Sequence, residues 1–226
     1  AHILQARYPG RCKGARIHLN KNIPHGAGLG GGSGNAAGVL LGLNFLWGLK
    51  LKREDLISVA SELGSDVPFF LFFPCAIGRG RGEILEPVKN SIRFYVLMVY
   101  PGFAVSTASV YGNLKLKLTK RENNISILKN FLLQSEFAKL GATWSNDLEL
   151  LVFKEYPGLS GIKKEMLALG AKGALLSGSG STVFGVFDNL ETANSAHARL
   201  DRGKFMLFLA ESVVNLSELY PEEMLH

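Results

Sequence analysis

The rhythm of hydrophobic and polar positions changes several times along this chain, and each rhythm predicts an element. Residues 16–20, Arg-Ile-His-Leu-Asn, alternate polar and apolar, the period-two signature of a half-buried strand. Further on, apolar side chains recur at 36, 39, 40, 43, 46 and 47, one broad face of a helix that Gly48 stops. LKREDLISVASELG repeats the helical spacing, with Leu56, Val59, Ala60 and Leu63 turned inward and Gly64 as C-terminal cap. SDVPFFLFF has Ser65 or Asp66 in cap position and Pro68 close behind, an arrangement that starts helices. GRGRGEILEPV reads as a turn leading into a strand.

From about residue 92 the pattern changes. RFYVLMVYP predicts a strand, followed by helical segments across 125–140 and 158–169. AKGALLSG and TVFGVFD predict two strands joined by the turn SGSGS. ETANSAHARL predicts a helix and KFMLFLAES a last strand. The order β-α-β-β-α-β is that of a ferredoxin-like sandwich, an antiparallel sheet with helices on one side. These readings put a domain boundary near residue 91 and divide the chain into 1–91 and 92–226.

Composition narrows the class. With 226 residues, 47% hydrophobic and 19% charged, the chain has the makings of one or two packed cores. Its longest apolar stretch, Val67 to Ile77, is too short for a bilayer and contains Pro68 and Pro74. Two cysteines, Cys12 and Cys75, are too few for a disulfide framework or a zinc site, so a reducing cytoplasm is expected. Cys75 reads as a small buried apolar residue. His2, His18, His25, His197 and His226 show no metal-ligand spacing. The net charge of +6 suits nucleic acid or a small anionic substrate. The basic residues are dispersed, and LKLKLTKR at 114–121 alternates like one solvated strand face, so nucleic acid is not the expected partner.

One stretch demands its own explanation. In HGAGLGGGSGNAAG, six of the nine residues from Gly26 to Gly34 are glycine, directly before a helix. Glycine loses more freedom on folding than any other residue. Such a run is therefore a linker, a tight structural turn, or backbone that must come close to something. A linker has no strict context, whereas this run lies between a predicted strand and a long helix, with Pro24 fixing its entry. Free N–H groups and the positive dipole end at a helix start make an anion site. The run matches neither GxxxxGK[ST] nor GxGxxG after a buried parallel strand. From the residues alone a phosphate cradle and a tight turn both stay open. Asp66 is likewise either a helix cap or the group that accepts a hydroxyl proton in phosphoryl transfer.

The segment IPHGAGLGGGSGNAAG resembles the phosphate loop of the GHMP kinase superfamily, P-x-x-x-G-L-G-S-S-A-A. LGSDVPFFL, GRGRGEILEPV, YPGFAVST, WSNDLE and LLSGSGSTVFGVF extend the resemblance, in order, over nearly the whole chain. Within the superfamily, the GLGGGS-x-NAA form is similar to the branch that phosphorylates the 2-hydroxyl of 4-diphosphocytidyl-2-C-methyl-D-erythritol on the non-mevalonate route to isoprenoid precursors. The resemblance implies an α+β, two-domain GHMP kinase fold: a partial N-terminal α/β domain followed by a ferredoxin-like C-terminal domain. It implies ATP with Mg²⁺ as donor, Asp66 as the catalytic residue, and a nucleotide cradle formed by Pro24, His25, Gly26, Ala27, Gly28, Leu29, Gly30, Gly31, Gly32, Ser33 and Gly34. Ser33 would hold phosphate or metal, and Lys21 and Asn35 are further candidates at the same loop. Thr107 and Tyr111 fall where the family contacts its cytidine-bearing substrate. Ser177 to Ser181 would form a hairpin turn abutting the phosphate loop.

Two departures accompany the resemblance. Gly34 replaces a second serine of the loop, which leaves Ser33 as the hydroxyl there. The family's early P-A-K-x-N and D-G-Y-H motifs, whose lysine assists the aspartate and whose Tyr-His pair helps bind cytidine, do not occur. The resemblance therefore implies an N-terminal domain without its first strands, and leaves open the activity of the chain in this form. The other readings are another GHMP small-molecule kinase, of homoserine or mevalonate type, and a catalytically silent nucleotide-binding module. The expected partners are ATP and a cytidine diphosphate substrate, with neither nucleic acid nor membrane, in a monomer or homodimer.

Overall fold

The computed structural model describes residues 1–80, 82, 84–89, 92–106, 110 and 125–224. These fall into two compact units, the first comprising Ala1–Asn22, Gly30–Lys89 and Val213–His226, the second Ile23–Leu29 and Asn90–Ser212. The glycine run is thus divided: Gly26–Leu29 fold with the second unit, and Gly30–Gly34 with the first.

The first unit contains helices α1 (His2–Arg7), α2 (Gly31–Leu46), α3 (Arg53–Leu63) and α4 (Val67–Phe72), and a hairpin of β1 (Ala76–Arg79) and β2 (Ile84–Pro87). Its core gathers Leu4 from α1, Ala37, Leu40 and Leu41 from α2, Leu56, Val59 and Ala60 from α3, and Val67 and Leu71 from α4. An Arg7–Glu62 ion pair ties α1 to α3. α2 begins inside the glycine run, earlier than the apolar spacing predicts. Its buried stripe is Ala37, Leu40, Leu41 and Leu43, while Leu46, read as inward, faces solvent. Leu63, also read as inward, is exposed at the end of α3, and Gly64 closes that helix with extended backbone.

The strand expected at 16–20 does not form. That segment has no regular structure, and Ile17 and Leu19 are 51% and 56% exposed. A strand exists only where a neighbour takes its N–H and C=O groups. Among the described residues none pairs with this one. The alternation was real, but pairing decides.

The second unit is built on a four-stranded antiparallel sheet of order β4-β5-β3-β6, from β3 (Tyr95–Tyr100), β4 (Gly173–Leu176), β5 (Val183–Phe187) and β6 (Met206–Glu211). Between β3 and β4 run α5 (Ile125–Leu133), α6 (Phe137–Thr143), α7 (Glu149–Glu155) and α8 (Pro157–Ala168); α9 (Leu190–Leu200) joins β5 to β6. The Asn189 side chain caps α9, accepting from the Thr192 N–H at 2.8 Å. On one face Leu97, Val99, Val183 and Phe187 pack with α8 and α9 residues such as Leu159, Met166 and Ala196. The sandwich was expected to carry helices on one side, yet the other face is covered too. Val96, Phe184 and Val186 meet Phe131, Phe137 and Leu140 there. The unbroken apolar run in RFYVLMVY carries this signal, because a strand buried on both faces does not alternate.

Phe187 is fully buried, so Phe187→Ala should cost about 3–5 kcal/mol in denaturant unfolding; a loss below about 1 kcal/mol would show a core that collapses around the gap. In the first unit, the Tyr220 hydroxyl donates to the Phe70 carbonyl at 3.2 Å, and burial pushes its phenol pKa up. A folded-state pKa above the unfolded one gives stability that is complete below the unfolded value, near 10, and is lost as pH rises through the folded value. Thermal unfolding in alkali should therefore fall more steeply for the wild type than for Tyr220→Phe.

Candidate active site

In the first unit, Gly30 precedes α2 in the left-handed region, at φ 64°, and no side chain caps the helix. No acidic residue lies in the first turn. The opening amides thus present N–H groups and positive potential without a carboxylate to neutralise them. Glycine is required at position 30 twice over, because a Cβ there would also stand 2.7 Å from the Phe70 ring. Position 32 is open, with no neighbour within 4 Å of the place a Cβ would take. Ser33 lies half-buried in the same turn.

Lys21 reaches this helix start through Asn35. With its carboxamide oriented to satisfy both neighbours, Asn35 donates to the Gly31 carbonyl at 3.2 Å and accepts from Lys21 Nζ at 3.1 Å. That tether holds one ammonium group beside the first turn of α2.

Asp66 occupies the cap position of α4, but its backbone is already helical, at φ −88° and ψ −13°, and its side chain makes no capping hydrogen bond. A capping aspartate has extended backbone and accepts from the N–H two or three residues on. The carboxylate is instead exposed and accepts from the Ser65 hydroxyl at 3.4 Å. The turn of the β1–β2 hairpin lies nearby, where a Cβ at Gly82 would be 3.9 Å from Asp66 Oδ1. α4 packs against α2 and carries Phe70 onto Gly30 and Gly34.

In the second unit, Gly26–Leu29 lie against the β4–β5 turn. Ser177 Oγ donates to the Gly28 carbonyl at 2.8 Å, and the Thr182 N–H donates to the Ala27 carbonyl at 3.2 Å. A Cβ on Gly28, at φ 77°, would sit 2.1 Å from the Ser177 carbonyl oxygen. Carbonyl and N–H point oppositely across a planar trans peptide. With the Ala27 and Gly28 carbonyls turned to the hairpin, the N–H groups of Gly28 and Leu29 point away from it.

The family model for the GHMP kinases N terminal domain matches residues 1–73, and that for the GHMP kinases C terminal domain matches residues 128–205. A 4-diphosphocytidyl-2-C-methyl-D-erythritol kinase of Thermodesulfovibrio yellowstonii is 45% identical over 84% of this chain and 68% of its own length. The chain belongs to the GHMP kinase family. The protein of the same name from Geobacter sp. strain M21 is 44% identical over 85% of this GHMP kinase and 67% of its own length. This chain thus spans about two thirds of these relatives. A crystal structure of 4-(cytidine 5'-diphospho)-2C-methyl-D-erythritol kinase superposes with a TM-score of 0.73 at 34% identity, covering 85% of this chain and 69% of that one. A homoserine kinase from Cytophaga hutchinsonii shares the fold, with a TM-score of 0.72 at 22% identity over 86% and 68% of the two chains.

Pro24 and His25 precede the clamped stretch in the second unit. Thr107 and Tyr111 lie outside the described residues. Among the described residues, no cluster of three or more His, Cys, Asp or Glu could hold a metal, and no helix is long and apolar enough to cross a membrane. Cys75 is half-buried, and that burial pushes its thiol pKa up, which favours the neutral form. The sequence reading missed Asn146 and Glu149, whose side chains bond the backbone of Leu176 and Gly178; WSNDLE was their signal.

Gly28→Ala should be destabilising by more than about 1 kcal/mol, from positive φ and carbonyl overlap together. Chemical denaturation would measure it, and a neutral result would mean the hairpin yields freely.

Proposed function

We propose that this chain transfers the γ-phosphoryl group of ATP to the 2-hydroxyl of 4-diphosphocytidyl-2-C-methyl-D-erythritol. The observation that carries the reading is an aspartate at a helix start that does no capping, in the same unit as an uncapped, glycine-opened helix. An Asp66 that served only as a cap would accept from the N–H groups of α4, and it does not.

The chemistry then assigns work to each group. The N–H groups opening α2, with the Lys21 ammonium, take the charge of the phosphate oxygens. Asp66 accepts the proton of the substrate hydroxyl as its oxygen bonds to phosphorus, and the bond to ADP breaks with its electron pair leaving on ADP. Pro24–Leu29 line the nucleotide, and Thr107 and Tyr111 contact the cytidine end of the acceptor. The first unit offers hard oxygen donors, the Ser33 hydroxyl and the Asp66 carboxylate, a set that suits Mg²⁺. When bound, Mg²⁺ neutralises charge on the phosphoryl oxygens.

Asp66→Asn should keep ATP binding and lose about 10²-fold or more of turnover, measured by ADP release. Near-normal turnover would return Asp66 to a structural role. The same assay with homoserine and mevalonate should give no turnover; preference for either would move the protein to another branch of the family. ATP binding without transfer to any of the three alcohols would make it a silent nucleotide-binding module.

A further inference from the structure

We propose that Asn146, Glu149 and Lys163 are positioning residues for the nucleotide phosphates, acting through the β4–β5 turn on the backbone of Ala27–Leu29. The proposal rests on the reading of the glycine run as a phosphate cradle.

β4 is an edge strand of the sheet. Leu176 stands opposite Val183, and both its backbone polar groups face the open edge, where no strand among the described residues takes them. Side chains take them instead. Glu149 Oε1 accepts from the Leu176 N–H at 2.8 Å, and Asn146 Nδ2 donates to the Leu176 carbonyl at 3.0 Å. Asn146 Nδ2 also donates to the Gly178 carbonyl at 2.7 Å, so its amide straddles Ser177. Its Oδ1 accepts from the Leu148 N–H at 3.0 Å, which leaves the carboxamide one orientation.

Glu149 is itself held. Its Oε2 pairs with Lys163 Nζ at 2.6 Å, with the two side chains only 14% and 25% exposed. The chain of contacts runs from Lys163 on α8 to Glu149 at the start of α7, then to Leu176, and from Ser177 to the Gly28 carbonyl. None of the three side chains bonds to the glycine run, yet together they fix the peptide from which Ser177 reaches it.

The consequence is electrostatic as well as geometric. A carbonyl oxygen facing a phosphate repels it, whereas an N–H attracts it. Holding Ser177 keeps the Gly28 carbonyl on the hairpin side and the Leu29 N–H on the opposite side. If Ser177 shifts, that peptide is free to rotate. The penalty falls on groups that bind phosphate and spares those that bind a nucleoside or the alcohol.

The test compares Asn146→Ala, Asn146→Asp, Lys163→Met and Lys163→Arg in the full chain. Expected is a rise in the KM for ATP of about tenfold in both Asn146 variants, with the KM for the alcohol acceptor within about twofold of wild type. Adenosine, which has no phosphate, should keep its wild-type Kd. Lys163→Met should show a smaller rise for ATP, and Lys163→Arg should restore the wild-type value because it keeps the ion pair with Glu149. Lys163 is partly exposed, so this pair decides the matter if the Asn146 variants do not fold. An unchanged KM for ATP in folded variants would overturn the proposal. So would parallel losses for ATP, adenosine and acceptor, the signature of general loosening. Failure of the wild type itself to bind ATP would overturn the cradle reading instead.

Discussion

The first amides of a long helix have no partner within the helix, and in α2 no side chain supplies one. A serine, threonine, asparagine or aspartate cap can settle this, as Asn189 does for α9. At α2 the chain places a left-handed glycine before the helix and keeps acids out of its first turn. Everything around that end is consistent with leaving it open. Phe70 fills the space that a side chain at Gly30 would occupy and lies in contact distance of Gly34, and Tyr220 fixes the Phe70 backbone through its carbonyl. The ammonium group of Lys21, beside this helix start, is tethered by the uncharged Asn35 side chain.

The other half of the glycine run obeys a different constraint. Its carbonyls would be liabilities beside an anion, and the second unit ties two of them to the β4–β5 turn. The same turn ends an edge strand, whose exposed polar groups Asn146 and Glu149 take up. One set of hydrogen bonds therefore protects a sheet edge and orients a loop. The largely buried ion pair of Glu149 with Lys163, of a kind costly to desolvate in general, holds the carboxylate that accepts from the Leu176 N–H.

Much of this was legible in the residues. Helical spacing marked α2, α3 and α9, and the order of strands and helices after residue 92 gave the ferredoxin-like topology. Local capping chemistry and side-chain period are properties of short stretches, so they survive without a fold. The glycine run, the Asp-Val-Pro helix start and the SGSGS turn were visible as exceptions to ordinary patterning. The family resemblance converted those exceptions into a kinase, and 45% identity to a named relative agrees.

Only tertiary structure decided the rest. Alternation at 16–20 could not say whether a neighbour would pair with it, and none among the described residues does. The sequence could not tell which glycines the packing of the protein itself requires. Gly28 is forced by a carbonyl at 2.1 Å and Gly30 by an aromatic ring at 2.7 Å, distances set by residues far away in the chain. Nor could it show that Asp66 sits at a cap position without capping, because that depends on backbone angles. Residue types and their periods are written locally, whereas the partner of each polar group is chosen by the fold.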